Sequence, residues 1–562
     1  MYAAAAFVAA LWCGAAAAAT PLFPGVRYTR EVQFTARGPA VVHVVNAPRP
    51  VGLYSLKPVL SNDAISGRET VTSMQRRLTA AATVTGVNGD LFSWTSGNPT
   101  GVLIRSGVLD HHPAAGRSSI GVDADGWLDV RRISFTGSWR GLGGAHPVQR
   151  VNEPGDKDEA VLFSPAWGAA TPAASDTYEV VVQPFPAAAV DTPLVGTVVA
   201  TKLGGRTRIP RNGAVLVARG KAVTTIEGEA AEGLPLTVRL RLTPSWPMVD
   251  ALGGGPALVR DGKAIFRALE AFTVDQVTGF DPRTAVGQRA DGSLVFVAVD
   301  GRQPGYSAGI TNFDLAKLLV RLGAVTGSAL DSGGSTTLAF EGRLLNRPSD
   351  PGGERAVAEA LVLGYAGVYT PAPAPIVSPN GDGIADAQRL RYKVVERSTV
   401  DARLIGPKGT VVPVDAGERP RGMRAFRWDG TGPDGAPALE GEWRWRVDAV
   451  DEQGRRSSSE RRFSLNRTLR LLAVRRAGRR QVRVTFSVAR RSFVAVRVLS
   501  PRGDVLRTIT RRLLDPGTVG VRWNGRLPGG RRAAPGTYVM QVGATNGIGR
   551  VQFTRAFVLS RR

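Results

Sequence analysis

With one cysteine and four histidines among 562 residues, the chain has little material for thiol or imidazole chemistry. Cys13 lies in the uncharged opening stretch "MYAAAAFVAALWCGAAAAA". A chain that loses this stretch holds no cysteine, which excludes disulfides and metal–thiolate sites. His43, His111, His112 and His146 stand at no metal-ligand spacing from one another, so a His-dependent triad or a His-rich zinc site has no support in the sequence. Phosphate-binding fingerprints are missing too. "GLGGAH" (141–146) and "ALGGGPAL" (251–258) are glycine-rich but lack the Lys-Ser/Thr that completes a P-loop. After residue 19 no run is apolar and long enough to span a bilayer. The last 97 residues contain neither lysine nor glutamate.

What is present begins with that apolar start. Residues 1–19 end in Ala17-Ala18-Ala19 before Thr20-Pro21, which suits a secretory signal with a small-residue cleavage site, although the usual basic n-region is missing. The other reading is an N-terminal membrane anchor. With the signal removed, the expectation is a secreted or cell-wall-associated protein with no transmembrane span. The formal charge of +25 is uneven. Residues 466–562 carry 22 arginines against Asp504 and Asp515, a net +20. On an exported chain this basic segment suggests an anionic cell-wall or polysaccharide partner and no nucleic acid, unless it is only a solvated basic face.

At this length several domains are expected. "YTPAPAPIVSPNGDG", from Tyr369, is proline-rich and favours extended backbone, which places a linker there. Beyond it the chain repeats. "RWDGTGPDGAPALEGEWRWRVDA" (427–449) aligns with "RWNGRLPGGRRAAPGTYVMQVGA" (522–544), matching Trp428 to Trp523, Gly441 to Gly536 and Trp443 to Tyr538. Period-2 strands between Pro-Gly turns suit β-sandwiches. The pattern resembles the FlgD-type immunoglobulin-like domain, which implies two copies, at 371–465 and 466–562. The first opens on "SPNGDGIADAQ", where Asn380, Asp382 and Asp386 have the alternate spacing of calcium ligands. A polar Asx-type turn is the competing reading.

Residues 20–370 alternate strand and helix signals, and a single α+β domain with a mixed sheet is expected. Val71, Met74, Leu78 and Ala81 or Ala82 share one face of a helix over 68–82. Thr311 and Asp314 cap a second helix over 312–323, with Leu315, Leu318, Leu319 and Leu322 facing inward. Three strands end in polar loops, at Asn88-Gly89-Asp90, at Asp300-Gly301-Arg302, and at Asp331 in "LDSGGSTT". Rigid strand ends are where sites tend to be built. Asp-Gly is also a common turn signal. The Gly333-Gly334 step could turn N–H groups toward one anion, with Ser335, Thr336 and Thr337 as hydroxyl donors and Arg302 or Arg347 as forked partners. It could equally be a glycine-rich turn.

The block "RTAVGQRADGSLVFVAVDGRQPGYSAGITNFDLAKLLVRLGAVTGSALDSGGSTTLAFEGRLLNRPSD" (283–350) resembles the phosphodiester glycosidase family. "GVNGDLFSWTSGNPTGVLIRSGVL" (86–109) and "VDALGGGPALVRDGKA" (249–264) match further segments of it in order, so the resemblance covers about 80–365. The family reads Leu-Asp-Gly-Gly-Gly-Ser where this chain has Ser332 in place of the first glycine. A serine there would alter the pocket if the position needs positive φ. The resemblance implies hydrolysis of a sugar-1-phosphodiester, of the N-acetylglucosamine-1-phosphodiester type, with no cofactor required for catalysis. It implies Asp331 and Asp300 as carboxylates at the reacting centre and Arg283, Arg302 and Arg347 with Gly333, Gly334, Ser335 and Thr336 around phosphate. Asn88, Asp90 and Asn346 would orient sugar hydroxyls. Two other readings stay open: a metal-dependent phosphodiesterase in which Asp90, Asp300 and Asp331 share a divalent ion, and a non-catalytic glycan-binding surface protein.

Overall fold

The computed structural model describes residues 19–265, 270–478 and 480–560. The apolar segment expected at 1–19 lies, apart from Ala19, outside them. The chain divides into two compact units, Met1–Ala366 and Gly367–Arg562, so the break falls just before the proline-rich stretch.

The first unit is mostly β, which corrects the expectation of an α+β domain. Its described helices are short: Val71–Leu78, Lys221–Glu229, Val274–Thr278 and Asn312–Arg321. An eight-stranded antiparallel sheet runs Thr20–Phe23, Val26–Thr35, Gly38–Ala47, Leu294–Val299, Arg283–Arg289, Ala324–Ala329, Ala257–Arg260, Lys263–Ala264. Hairpins join several of these neighbours, and a short hairpin turn can only return the chain antiparallel. Helix Asn312–Arg321 covers this sheet with buried Leu315, Leu318 and Leu319. Thr311 Oγ1 accepts from the Asp314 N–H at its start, and Gly323 at φ +86° follows its end. That is the expected helix, two residues shorter.

A five-stranded sheet places Thr83–Asn88 between Leu338–Phe340 and Glu359–Tyr365. The helix against it covers only Val71–Leu78, well inside the 68–82 predicted. Glu69–Thr70 pairs as a strand with Ala356–Val357, and Thr70 Oγ1 caps the Ser73 N–H, so the helix cannot start sooner. A second five-stranded sheet contains Ser118–Val122, Asp250–Gly253 and Leu103–Arg105. Between its strands is inserted an eight-stranded sheet drawn from residues 134–219 and 235–243, holding the one parallel pair described in this unit, Arg150–Val151 with Ala160–Phe163.

In the second unit each repeat forms two sheets around its own core. Trp428, Trp443, Trp445 and Phe463 fill the first, and Phe486, Trp523, Met540 and Phe553 the second. The matched tryptophans do the same job. The Trp428 indole donates to the Thr431 carbonyl at 2.7 Å, and the Trp523 indole donates to the Arg526 carbonyl at 2.9 Å. In the Asn380 loop, Asp386 Oδ1 accepts from the N–H groups of Asn380 and Gly381, and its Oδ2 accepts from Gly383. Asp382 accepts from Ile384 and Thr554. These oxygens face backbone donors and not a common point, so the loop is an Asx-type turn and no calcium is proposed there.

Candidate active site

The ends of strands from three sheets meet at one place. The Asp331 N–H donates to the Gly89 carbonyl at 3.0 Å, Gly89 donates to Glu359 at 2.8 Å, and Gly255 donates to Ala329 at 2.9 Å. Asn88 makes this junction rigid. Its Oδ1 accepts from the Thr337 N–H and the Thr284 hydroxyl, and its Nδ2 donates to the Asp331 carbonyl at 2.9 Å. Asn88 is fully buried. A residue so occupied holds two strand ends together and leaves no group to orient a sugar, which corrects that expectation.

Three acids gather there. Asp331 is half-buried and opens on a small depression also lined by Asp90, Phe272, Arg283 and Ser332. Its carboxylate accepts from the Ser332 N–H at 2.8 Å and from the Ser335 hydroxyl. Burial, with a lesser push from the Asp90 charge, raises it to about 6. Asp90 is buried and pairs with the Arg117 guanidinium, while its Oδ2 has no hydrogen-bond partner. Burial raises it as well, and Arg117 opposes that rise. Glu359 is buried, and its Oε1 accepts from the Asp90 N–H at 3.3 Å. Burial and then Asp90 push Glu359 up to about 8, so it is mostly protonated at neutral pH. Adjacent acids whose environments separate their pKa values are the usual material of acid–base and carboxylate catalysis.

Glu359 also makes a stability prediction. Its folded pKa lies above the ordinary glutamate value near 4.3, so folding takes up a proton and stability falls as pH climbs from about 4.5 to about 8. Glu359→Gln should remove this slope, gaining on the order of a few kcal/mol relative to wild type at pH 8 compared with pH 5. Parallel denaturation curves for the two proteins would refute the assignment.

Cations surround the acids. Arg283 is buried, donates to the carbonyls of Ile310, Gln276 and Gly279, and lines the depression. Burial lowers it to about 10, which leaves it charged at neutral pH. Arg302 is half-exposed, paired with Asp281 at 2.8 Å, and its guanidinium sits where a side chain at Gly333 would be. The sequence did not single out Arg355. It pairs with Asp350 at 2.7 Å, lies 3.4 Å from the Ser335 hydroxyl, and stacks over the exposed Trp94 at 4.9 Å. A Cβ at Gly334 would strike this ion pair, which explains the glycine.

The backbone nest expected at Gly333-Gly334 is corrected. Gly333–Ser335 is a 3-10 turn. The N–H groups of Ser332, Gly333, Ser335 and Thr336 point at Asp331 Oδ1 and at the carbonyls of Pro282, Ser332 and Gly333. The Thr336 hydroxyl is buried without a partner. Most of the loop's N–H groups are thus taken, and the guanidinium groups are the main source of positive charge for an anion. Ser332 has φ −121° and ψ −172°, extended backbone that any residue adopts, while the positive φ of +65° falls on Gly333. The departure at Ser332 does not strain the loop.

Asp300 stands apart. It is fully buried, and its oxygens accept from His43 at 2.9 Å, Tyr306 at 3.0 Å, Asn346 at 3.2 Å and the Arg347 N–H at 2.9 Å. Four bonds fill a carboxylate's acceptor capacity, so Asp300 anchors its loop and does not join Asp331 at the depression. Asn346 is likewise occupied by Asp300, the Thr336 carbonyl and the Leu338 N–H. Arg347 is exposed, its guanidinium 5.0 Å above the Tyr306 ring on the Asp300 side. With Asp300 enclosed in this way, the trio Asp90, Asp300 and Asp331 does not converge on one ion.

Glu359 and Arg117 were also missed. Glu359 is the lone acid in the apolar strand "EALVLGY", and Arg117 directly precedes the buried strand Ser118–Val122. A single charge in a run buried on both faces is a usable signal, because such a charge needs a partner or a function.

The sequence model of the phosphodiester glycosidase family matches residues 188–364. That span holds Arg283, Arg302, Asp331, Arg355 and Glu359. An uncharacterized SPbeta prophage-derived protein, YomE of Bacillus subtilis, is 37% identical over 25% of this chain and 21% of its own length. The N-acetylglucosamine-1-phosphodiester alpha-N-acetylglucosaminidase of Bos taurus is 33% identical over 18% of this chain and 21% of its own. The chain thus spans about a fifth of the curated relatives it matches. A solved structure of a hypothetical protein from Synechocystis shares the fold, with TM-score 0.52, 23% identity, and coverage of 61% of this chain and 62% of that one.

Proposed function

We propose that the first unit is a glycosidase that hydrolyses a sugar-1-phosphodiester, with N-acetylglucosamine-1-phosphodiesters the first class to assay. The observation that carries this reading is Asp331, a carboxylate raised to about 6 at a depression shared with Asp90 and the buried cation Arg283. The C1–O bond breaks, the phosphomonoester leaves with the bonding pair, and water supplies the oxygen that ends on the sugar. Positive charge builds at C1 in the transition state, where an ionised carboxylate stabilises it. Phosphate is a good leaving group and needs little protonation. Asp331 therefore acts as the carboxylate at C1. Arg283 and Arg302 complement the phosphodiester, and Arg355 and Arg68, both held over the Trp94 ring, add further positive charge. Hydrolysis in labelled water tests the scheme. Label in the sugar supports it, and label in the phosphate sinks it.

The two repeats of the second unit serve as immunoglobulin-like spacers of the FlgD type on an exported, surface-associated chain. Arginines of the last repeat alternate with its buried residues, and Arg475, Arg483, Arg511, Arg522 and Arg555 are exposed. These arginines, spread over both sheets of the repeat, would hold an anionic glycan. Retention of the full chain on an acidic polysaccharide should fall steeply between low and high salt. Retention indifferent to salt would remove the electrostatic reading.

A further inference from the structure

Three side chains outside the acid cluster meet beside the end of strand Val108–His111. His111 is buried, and its Nδ1 lies 2.7 Å from the Gly101 carbonyl oxygen and 2.8 Å from that of His112. Nδ1 therefore carries the proton and Nε2 keeps its lone pair. Nε2 is buried without a hydrogen-bond partner and lies 3.7 Å from Glu153 Oε2. His112 has Nδ1 at 3.4 Å from the Val151 carbonyl, and its Nε2 is 3.1 Å from the same Glu153 oxygen. The other carboxylate oxygen of Glu153 accepts from Arg150 at 3.0 Å. The two imidazole rings stack at 4.6 Å, and the three acceptor atoms lie within 4.8 Å of one another.

Three acceptor atoms within 4.8 Å of one another, one of them buried with no donor, favour positive charge between them. A proton on His112 would satisfy Glu153 and leave His111 Nε2 bare. A metal ion satisfies all three. We propose that His111 Nε2, His112 Nε2 and Glu153 Oε2 bind a divalent transition metal, with zinc the best fit. Bonds of about 2.0–2.1 Å at tetrahedral angles put ligand atoms about 3.3 Å apart, in the range of the 3.1 and 3.7 Å seen here. Two imidazoles and one carboxylate suit zinc, cobalt or iron(II) better than calcium or magnesium. The carbonyls behind both Nδ1 atoms and the guanidinium on Glu153 form the supporting shell that orients such ligands. His112 and Glu153 are partly exposed, which leaves the fourth position reachable from solvent.

The ion would join the strand end 108–112 to the segment 150–153 of the inserted sheet, where Asn152 already donates to the Asp110 carbonyl at 2.7 Å. Gly101, whose carbonyl orients His111, packs directly against Asp90 Oδ2. The metal thus braces the wall behind the acid cluster and takes no part in the bond-breaking step.

The test is titration of the full, untagged, chelator-stripped chain with Co²⁺ and with Zn²⁺. We expect one equivalent of Co²⁺ with the visible absorption of a four-coordinate site, its displacement by Zn²⁺, and a higher Tm with metal. His112→Ala and Glu153→Gln should each weaken binding at least about tenfold. His146→Ala, which removes a separate imidazole–carboxylate pair with Glu229 at 2.9 Å, should leave binding unchanged. No stoichiometric binding, or equal affinity in the His112 and Glu153 variants, overturns the proposal. So does nitrogen NMR showing His112 as an imidazolium that added metal does not change.

Discussion

Asp331→Asn should lower kcat/KM for the sugar-1-phosphodiester by about a thousandfold, within the range of about 10² to 10⁴ that a positioned carboxylate contributes. The loss should fall on kcat and not on KM, because the carboxylate matters most when charge develops at C1. Wild-type activity should rise with pH through a midpoint near 6, as Asp331 ionises, and the variant should lack that limb. The amide should not unfold the protein. Burial disfavours the ionised carboxylate, so a neutral side chain of the same shape is tolerated at neutral pH. Activity of the variant within about threefold of wild type, with an unchanged Tm, would remove Asp331 from the reacting centre.

Arg117→Met should destabilise the first unit by about 3–5 kcal/mol, the usual consequence of removing one partner of a buried ion pair. The side chains of Arg117 and Asp90 are 8% and 1% exposed, so water cannot replace the lost guanidinium. Arg117 also donates to the Thr100 hydroxyl at 2.8 Å and to the Gly254 carbonyl, tying together the loops behind the depression. The measured Tm should fall by on the order of 10 °C at neutral pH. It should recover in part when Asp90→Asn is added, because the uncompensated charge is then gone. A single variant within 1 kcal/mol of wild type would show that Asp90 is neutral in the folded protein.

Much of this was legible locally. Helix Asn312–Arg321 declares itself through its threonine cap and leucine spacing, and the tryptophan turns of the repeats are self-contained patterns. The strand-end position of Asp331 followed from an apolar run stopping at a polar loop. Roles were less legible. Asn88, Asp300 and Asn346 look like functional polar residues in one dimension, and only their hydrogen-bond partners, many of them distant in sequence, show them to be anchors. His111 and His112 gave no metal signal because Glu153 comes from a different sheet, and ligand spacing along the chain cannot report a contact made by topology.

By itself the sequence determined the two-part organisation, the duplicated β repeat, the basic last repeat and the motif around Asp331, since each is a matter of periodicity, composition or local turn chemistry. Tertiary structure alone decided which carboxylates share a site. Asp90 and Asp331 follow the ends of two strands and Glu359 opens a third, brought together by hydrogen bonds across sheet ends, and the removal of water is the largest influence on their pKa values. Desolvation is a property of the packed fold. No spacing of residues along a chain encodes it directly.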